Sequence, residues 1–307
     1  MDRVGESHTQ TGLNLETLNQ QRRAFMDTPV LYLGPEGTHS HEAALRHFGR
    51  RCRLLPCLSH FDVVDRLCAR SARPRPLAVM PVENSSEGPV TQTLDVFPAH
   101  PEIAILEGFS MPVRHHMLAG RALRRPEAIE RVYSHPQALG QCRAALRKLV
   151  PQAELLAESS TAAAARRVAA EPGSAAVATL AAARVYRLAV IARDLQDSAA
   201  NVTRFFVMRA SRRNPQPTVS RTAEMRSLLY LVLGNRPGAL LRALAPFDAA
   251  GLNLTFIQSR PLPGRPWEYG FFIEAATDWK TPAAEAAWRL VLALAESGRK
   301  LGTYPVK

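Results

Sequence analysis

One local pattern, repeated along the chain, limits what it can fold into. A short apolar run of β-type residues meets a turn crowded with small polar residues, and a helical stretch follows. Val30-Leu31-Tyr32-Leu33 runs into Gly34-Pro35-Glu36-Gly37-Thr38-His39-Ser40-His41 and the helical spacing of Ala43, Ala44, Leu45 and Phe48. Leu77-Ala78-Val79-Met80 runs into Pro81-Val82-Glu83-Asn84-Ser85-Ser86-Glu87-Gly88 and a helix over 90–96. Arg131-Val132-Tyr133 leads through Ser134-His135-Pro136-Gln137 to a helix over 138–149, and Leu155-Leu156-Ala157 leads through Glu158-Ser159-Ser160-Thr161 to an alanine-rich helix. Strands alternating with helices of about 10–15 residues predict parallel α/β sheets. Such sheets bind ligands at the carboxyl ends of their strands, where these turns lie.

The turns carry groups that can do chemistry. Asn201-Val202-Thr203-Arg204-Phe205 precedes the apolar run Phe206-Val207-Met208. A guanidinium holds a carboxylate through two parallel hydrogen bonds, and a threonine hydroxyl donates to an oxygen beside it. Glu83, Asn84 and Ser85 add an acceptor, an amide and a hydroxyl in one turn. Thr38 or Ser40 can cap the first helix, whose free N-terminal amides favour an anion. No nucleotide-binding glycine fingerprint is present.

Composition narrows the class. The 307 residues exceed one ordinary domain. No apolar run approaches the ~20 residues of a membrane helix, so no membrane partner is expected. Residues 1–28 lack the apolar core of a secretory signal and read as a flexible tail on a cytoplasmic protein. Cys52, Cys57, Cys68 and Cys142 fit neither a paired zinc spacing nor a disulfide framework, so free thiols and no metal are expected. The net charge of +12 comes from arginines scattered through every segment, with aromatics at only 7%, which predicts a diffuse positive field and no nucleic-acid stripe.

Residues 211–222 read as a linker by their prolines, Asn, Gln and arginines. Beyond them the pattern is strand (228–233), helix (239–250), two strands (252–258 and 267–274), helix (283–297) and a short strand. That βαββαβ order is ferredoxin-like.

Taken together, GPEGTHSH at 34–41, PVENSSEG at 81–88, YSHPQALGQC at 133–142, SSTAAA at 159–164 and NVTRF at 201–205 resemble the prephenate dehydratase family, with these blocks in the family's order. NRPGALLRAL, LNLTFIQSRP and WEYGFFIE resemble the ACT regulatory domain attached to those enzymes. The resemblance implies a two-lobed catalytic domain like a periplasmic binding protein over 29–210, a linker over 211–224 and an ACT domain over 225–307. It implies decarboxylative dehydration of prephenate to phenylpyruvate without a cofactor, inhibition by phenylalanine, and a homodimer or tetramer. The tail is too short for a chorismate mutase domain, so a monofunctional enzyme is expected.

By resemblance the catalytic groups are Thr203, Arg204, Glu83 and His135, with Thr38, Ser40, Asn84, Ser85, Ser159, Thr161, Asn201 and Phe205 lining the substrate pocket. Thr203 would assist the leaving hydroxyl and Arg204 would hold a carboxylate. Asn235, Gly238, Ala239, Leu240, Gln258, Ser259 and Arg260 would form the phenylalanine site. Two positions depart from the family: His39 stands where an aromatic residue is usual, and Gln258 replaces a glutamate, which predicts weaker effector binding. Arogenate as substrate, a non-aromatising prephenate decarboxylase and a non-catalytic amino-acid sensor are the alternatives.

Overall fold

Val30–Leu33 (β1) pairs in parallel with Leu54–Cys57 (β2) on one side and Leu77–Asn84 (β3) on the other. The interior residues Val30, Leu31, Tyr32 and Leu77 through Met80 are buried, as a strand covered on both faces requires. The computed structural model describes residues 28–49, 52–69, 71–123, 125–211 and 224–306. The expected tail, save Thr28, and the expected linker from 212 to 223 lie outside them.

Helices α1 (His39–Phe48) and α2 (His60–Cys68) follow β1 and β2, and a short strand β4 (Gly88–Pro89) folds back on β3. The helix expected over 90–96 is two single turns, α3 (Thr91–Leu94) and α4 (Val96–Ala99). The chain then makes two strands that the pattern did not predict, β5 (Ile103–Pro112) and β6 (His116–Ala119). The second lobe continues with β7 (Arg131–Ser134), α5 (Pro136–Gln141), α6 (Arg143–Leu149), β8 (Glu154–Ala157), α7 (Thr161–Val168), β9 (Ser174–Ala178), α8 (Leu180–Val185) and β10 (Ala189–Ala192). β11 (Val202–Ala210) returns to the first lobe between β5 and β3.

The sheet of the second lobe runs β10-β6-β9-β7-β8, and the first lobe is built on β2-β1-β3-β11-β5. Both sheets are mixed, not parallel as expected: β11 is antiparallel to β3 and β5, and β6 is antiparallel to β9 and β10. The antiparallel strands are those that carry the chain between the lobes. Two segments make that crossing, β5 to β6 and β10 to β11.

The C-terminal elements are β12 (Glu224–Val232), α9 (Ala239–Ala249), β13 (Leu254–Leu262), β14 (Arg265–Ala275), α10 (Pro282–Leu294) and β15 (Ser297–Val306), the expected βαββαβ order. Their strand order, β13-β14-β12-β15, is the antiparallel ferredoxin-like arrangement. The last strand is ten residues long rather than short, and its end pairs with the first lobe through Val306 and Gly108. One apolar cluster therefore spans both parts, joining Met80, Phe206 and Met208 to Leu228, Phe256, Phe272, Leu301 and Tyr304. Cys52, Cys57, Cys68 and Cys142 are free thiols. Among the described residues no helix is long and apolar enough to cross a membrane.

Candidate active site

A cavity of about 360 Å³ opens between the lobes. From the first lobe come the turn after β1 (Gly34, Thr38, His39, Ser40) and the end of β3 (Pro81, Asn84, Glu87). From the second lobe come the starts of α5 (His135, Gln137, Ala138, Gln141) and α7 (Ser159, Ser160, Thr161), while the crossing segments give Val113, His115, Asn201, Thr203 and Phe205.

Each turn is shaped by its own polar residues. The Thr38 hydroxyl donates to the Leu33 carbonyl (3.1 Å) and accepts from the His41 amide (3.3 Å), which starts α1 at the cleft wall. Ser160 accepts from the Ala163 amide at 3.0 Å and starts α7 opposite. His135 caps α5, its Nδ1 accepting from the Gln137 amide at 3.4 Å. Three helix N-termini thus face one cavity, an arrangement suited to anions. The turn is tied to the other lobe where Thr179 donates to the Gly37 carbonyl at 2.7 Å. Gly37 has φ +91°, and a Cβ there would sit 3.1 Å from Ala182, so backbone and packing both demand glycine.

At the centre Asn84 makes four hydrogen bonds. Its Nδ2 donates to Asn201 Oδ1 (2.7 Å) and Thr203 Oγ1 (2.9 Å), while its Oδ1 accepts from the Ser86 and Glu87 amides (2.9 and 3.0 Å). Asn201 Nδ2 donates to Gln141 Oε1 at 3.1 Å, and His115 Nε2 lies 3.0 Å from the same oxygen. Among the described residues the Thr203 hydroxyl has no acceptor for its own proton, and Thr203 is 8% exposed. A hydroxyl that accepts from a fixed amide keeps its proton for whatever enters the cavity.

Arg204 and Glu83 do not line this cavity, contrary to expectation. Successive side chains of a strand point to opposite faces, so Thr203 and Phe205 face the cleft and Arg204 faces away. β3 meets this with a bulge: Asn84 opposes Thr203 and Glu83 opposes Arg204, but Phe205 opposes Pro81, leaving Val82 without a partner in β11. The Val82 carbonyl instead accepts from the Val90 amide at 2.7 Å. On the far face Arg204 Nη2 lies 3.1 Å from Glu83, and its Nη1 donates to both carboxylate oxygens of Glu274 at 2.6 and 2.8 Å. Ser85 is also outside the lining; its hydroxyl donates to the Ala200 carbonyl and accepts from the Val202 amide, both at 3.0 Å, which holds the two turns together.

Thr38, Ser40, Asn84, His135, Ser159, Thr161, Asn201, Thr203 and Phe205 do line the cavity, joined by His39, His115, Gln137 and Gln141, which the sequence reading did not select as contacts. Among the described residues no lysine or arginine lines it. His39 and His115 are also poor cations: burial, then the neighbouring His115, His116 and Arg46, lower His39 to about 3, and burial lowers His115 against the pull of its Gln141 hydrogen bond. Both ring nitrogens of His39 are occluded and, among the described residues, without hydrogen-bond partners, and its ring meets that of His115 edge-on at 5.3 Å.

The C-terminal domain has a second cavity of about 140 Å³ lined by Asn235, Arg236, Ala239, Leu240, Trp267, Glu268, Tyr269 and Phe271, among others. Gly238 lies at the N-cap of α9 with φ +75° and is not in the lining. Gln258, Ser259 and Arg260 also lie elsewhere. The Gln258 amide donates to the Ser259 carbonyl (2.8 Å), and Arg260 grips Asp95 of the first lobe through two bonds of 2.7 and 2.6 Å.

Two α/β lobes flanking a cleft, with a ferredoxin-like domain whose last strand pairs with the first lobe, define a two-lobed α/β architecture. The model of the prephenate dehydratase family matches residues 30–213, and the chain belongs to that family. It is 37% identical over 276 residues to a bifunctional chorismate mutase/prephenate dehydratase of Stutzerimonas stutzeri, covering 90% of this chain and 73% of that protein. Its fold matches the crystal structure of prephenate dehydratase in complex with L-Phe from Arthrobacter aurescens with a TM-score of 0.79 at 30% identity, over 91% of this chain and 90% of the other. A solved structure described as a novel type of quorum-quenching acylase matches with a TM-score of 0.79 at 26% identity, over 91% and 98% of the two chains.

Proposed function

We propose that the chain converts prephenate to phenylpyruvate and that its C-terminal part is an ACT domain through which phenylalanine inhibits the reaction. The observation that carries the catalytic reading is the Asn84–Thr203 hydrogen bond, which leaves the threonine proton free in a cleft ringed by helix N-termini. In the reaction the bond from the ring to its carboxylate breaks and its electron pair enters the ring. The ring hydroxyl leaves with the C–O pair, takes up one proton and departs as water, beside carbon dioxide and an aromatic product. Thr203 donates a hydrogen bond to the departing oxygen, where charge develops. A threonine is too weak an acid to supply the proton itself, and His135 in the same wall is the group that can relay it. The starts of α1, α5 and α7 hold the carboxylate that the product keeps, the role expected of Arg204.

The regulatory reading rests on the second cavity, whose aromatic residues Trp267, Tyr269 and Phe271 suit a phenyl ring and whose Glu268 suits an ammonium group. Trp267 of its lining is exposed, as are Leu241 and Ile257 of the same domain, apolar surface that a second copy of the chain covers in a homodimer. Purified protein and fresh prephenate, followed by the ultraviolet absorbance of phenylpyruvate, test the proposal. Arogenate and chorismate in parallel separate the amino analogue and a mutase activity. Background rates with prephenate, or hydrolysis of an acylated amine in its place, overturn the assignment.

A further inference from the structure

Glu274 lies on β14 of the C-terminal domain and has no solvent exposure. Burying a carboxylate costs several kcal/mol unless partners surround it, and here they do. Arg204 contributes two bonds, Arg226 lies at 3.2 Å, Thr255 donates at 2.5 Å, and the Tyr304 hydroxyl donates to the second oxygen. Burial pushes the Glu274 carboxyl up, but Arg204 and the two hydroxyls outweigh it and hold the group below the ordinary carboxylate value, so it is an anion. Three of these partners are the domain's own. The fourth, Arg204, belongs to the strand that lines the cleft, one residue after Thr203.

The guanidinium bridges two parts of the molecule. One arm holds Glu274; the other reaches Glu83, the cross-strand neighbour of Arg204 and the residue before Asn84. It therefore fixes β3 and β11 against each other one residue from the Asn84–Thr203 hydrogen bond, at the place where the β-bulge weakens the ladder.

We propose that Glu274 is a positioning residue for Thr203, acting from the C-terminal domain through Arg204. The proposal rests on the dehydratase reading of the cleft. Displacing a catalytic group by about 1 Å costs on the order of a hundredfold in rate, so a carboxylate that never meets substrate can still govern turnover.

The test uses the full chain with Glu274→Gln, which keeps shape and removes charge, and Glu274→Asp, which keeps charge. In folded Glu274→Gln, kcat falls roughly ten- to a hundredfold while KM for prephenate stays within about threefold, and Glu274→Asp recovers part of the loss. Amide hydrogen exchange speeds up over residues 201–206 and is unchanged over 131–134 of the other lobe. Wild-type kcat, or exchange that rises equally in both segments, overturns the proposal. Should Glu274→Gln fail to fold, Arg204→Lys decides, because it keeps a cation but cannot span both carboxylates. It loses kcat if the bridge positions Thr203, and wild-type kcat refutes that. If the wild-type protein forms no phenylpyruvate, the dehydratase reading has failed, and the exchange data still decide whether Glu274 orders the cleft strand.

Discussion

Asn84→Asp reverses the polarity of the cleft with almost no change of shape. In the wild type both protons of the Asn84 amide are used, one on Asn201 and one on Thr203. A carboxylate oxygen in that place is acceptor-only, so the Thr203 hydroxyl, 2.9 Å away, turns its proton toward it. A charged acceptor makes the stronger bond, and the leaving oxygen loses its donor. Losing one such donor costs about 10²- to 10³-fold in kcat, or about 2.7–4 kcal/mol. The remaining oxygen still accepts from the Ser86 and Glu87 amides. Asn201 must rotate away from the new charge and gives up its bond to Gln141, a loss of about 1 kcal/mol. Melting should therefore move down by roughly 2–4 °C. The new charge also repels an anionic substrate and raises KM, so kcat at saturating prephenate is the discriminating quantity. Asn84→Ala is the control. It loosens Thr203 but leaves its proton free, and should cost about tenfold. An Asn84→Asp enzyme within about threefold of wild-type kcat, or one faster than Asn84→Ala, refutes the reasoning.

Three further outcomes are expected. Thr203→Ala lowers kcat about a hundredfold with KM little changed, and Thr203→Ser, which restores a hydroxyl, recovers most of it; equal rates for Ala and Ser in steady-state assays count against a hydroxyl role. His39 has its folded value lowered from 6.5 to about 3, so the unfolded chain binds more protons between these values and stability falls as pH falls through that window. Thermal melts from pH 7 to 4 should show His39→Phe losing less stability than wild type, by up to about 1.4 kcal/mol per pH unit, with His41, His60, His115 and His116, all lowered by burial, contributing to the remaining slope; parallel curves contradict this. Glu268→Gln should weaken phenylalanine binding about tenfold by calorimetry, as a charge-assisted bond becomes neutral, whereas Gln258→Glu should change it little, because Gln258 lies outside the cavity. The reverse order would restore the expectation drawn from the sequence.

The units that bring polar turns to strand ends were legible because strand, turn and cap are local. Thr38, Asn84 and Thr203 could be selected from their turns, Ser159 and Thr161 came with the family resemblance, and all five line one cavity. The direction of each side chain was legible only in part. The alternation along β11 was available and sends Arg204 away from Thr203, but grouping them in one motif put both in the cleft. The bulge that turns Glu83 away is set by pairing with a strand more than a hundred residues later. His115 and Gln141 left no signal, since they reach the cleft by the crossing segment and by the last turn of α5. Arg260 carried a regulatory expectation, but its partner Asp95 is 165 residues away, and no local pattern encodes that pair.

Among the described residues the cleft has no lysine or arginine, and this bears on the reaction. Decarboxylation moves negative charge off the carboxylate that leaves, so an arginine gripping that group would stabilise the reactant more than the transition state and slow the step. In the proposed reaction the helix N-termini hold the carboxylate that stays, and the apolar part of the lining, Val113, Phe205 and Leu33, is the wall that would do little to stabilise the departing one as an anion. Arg204 is turned to the opposite face, where two carboxylates occupy it. The same residue can then order Thr203 without stabilising the substrate's ground state, and that division of labour follows from the period-two geometry of one strand.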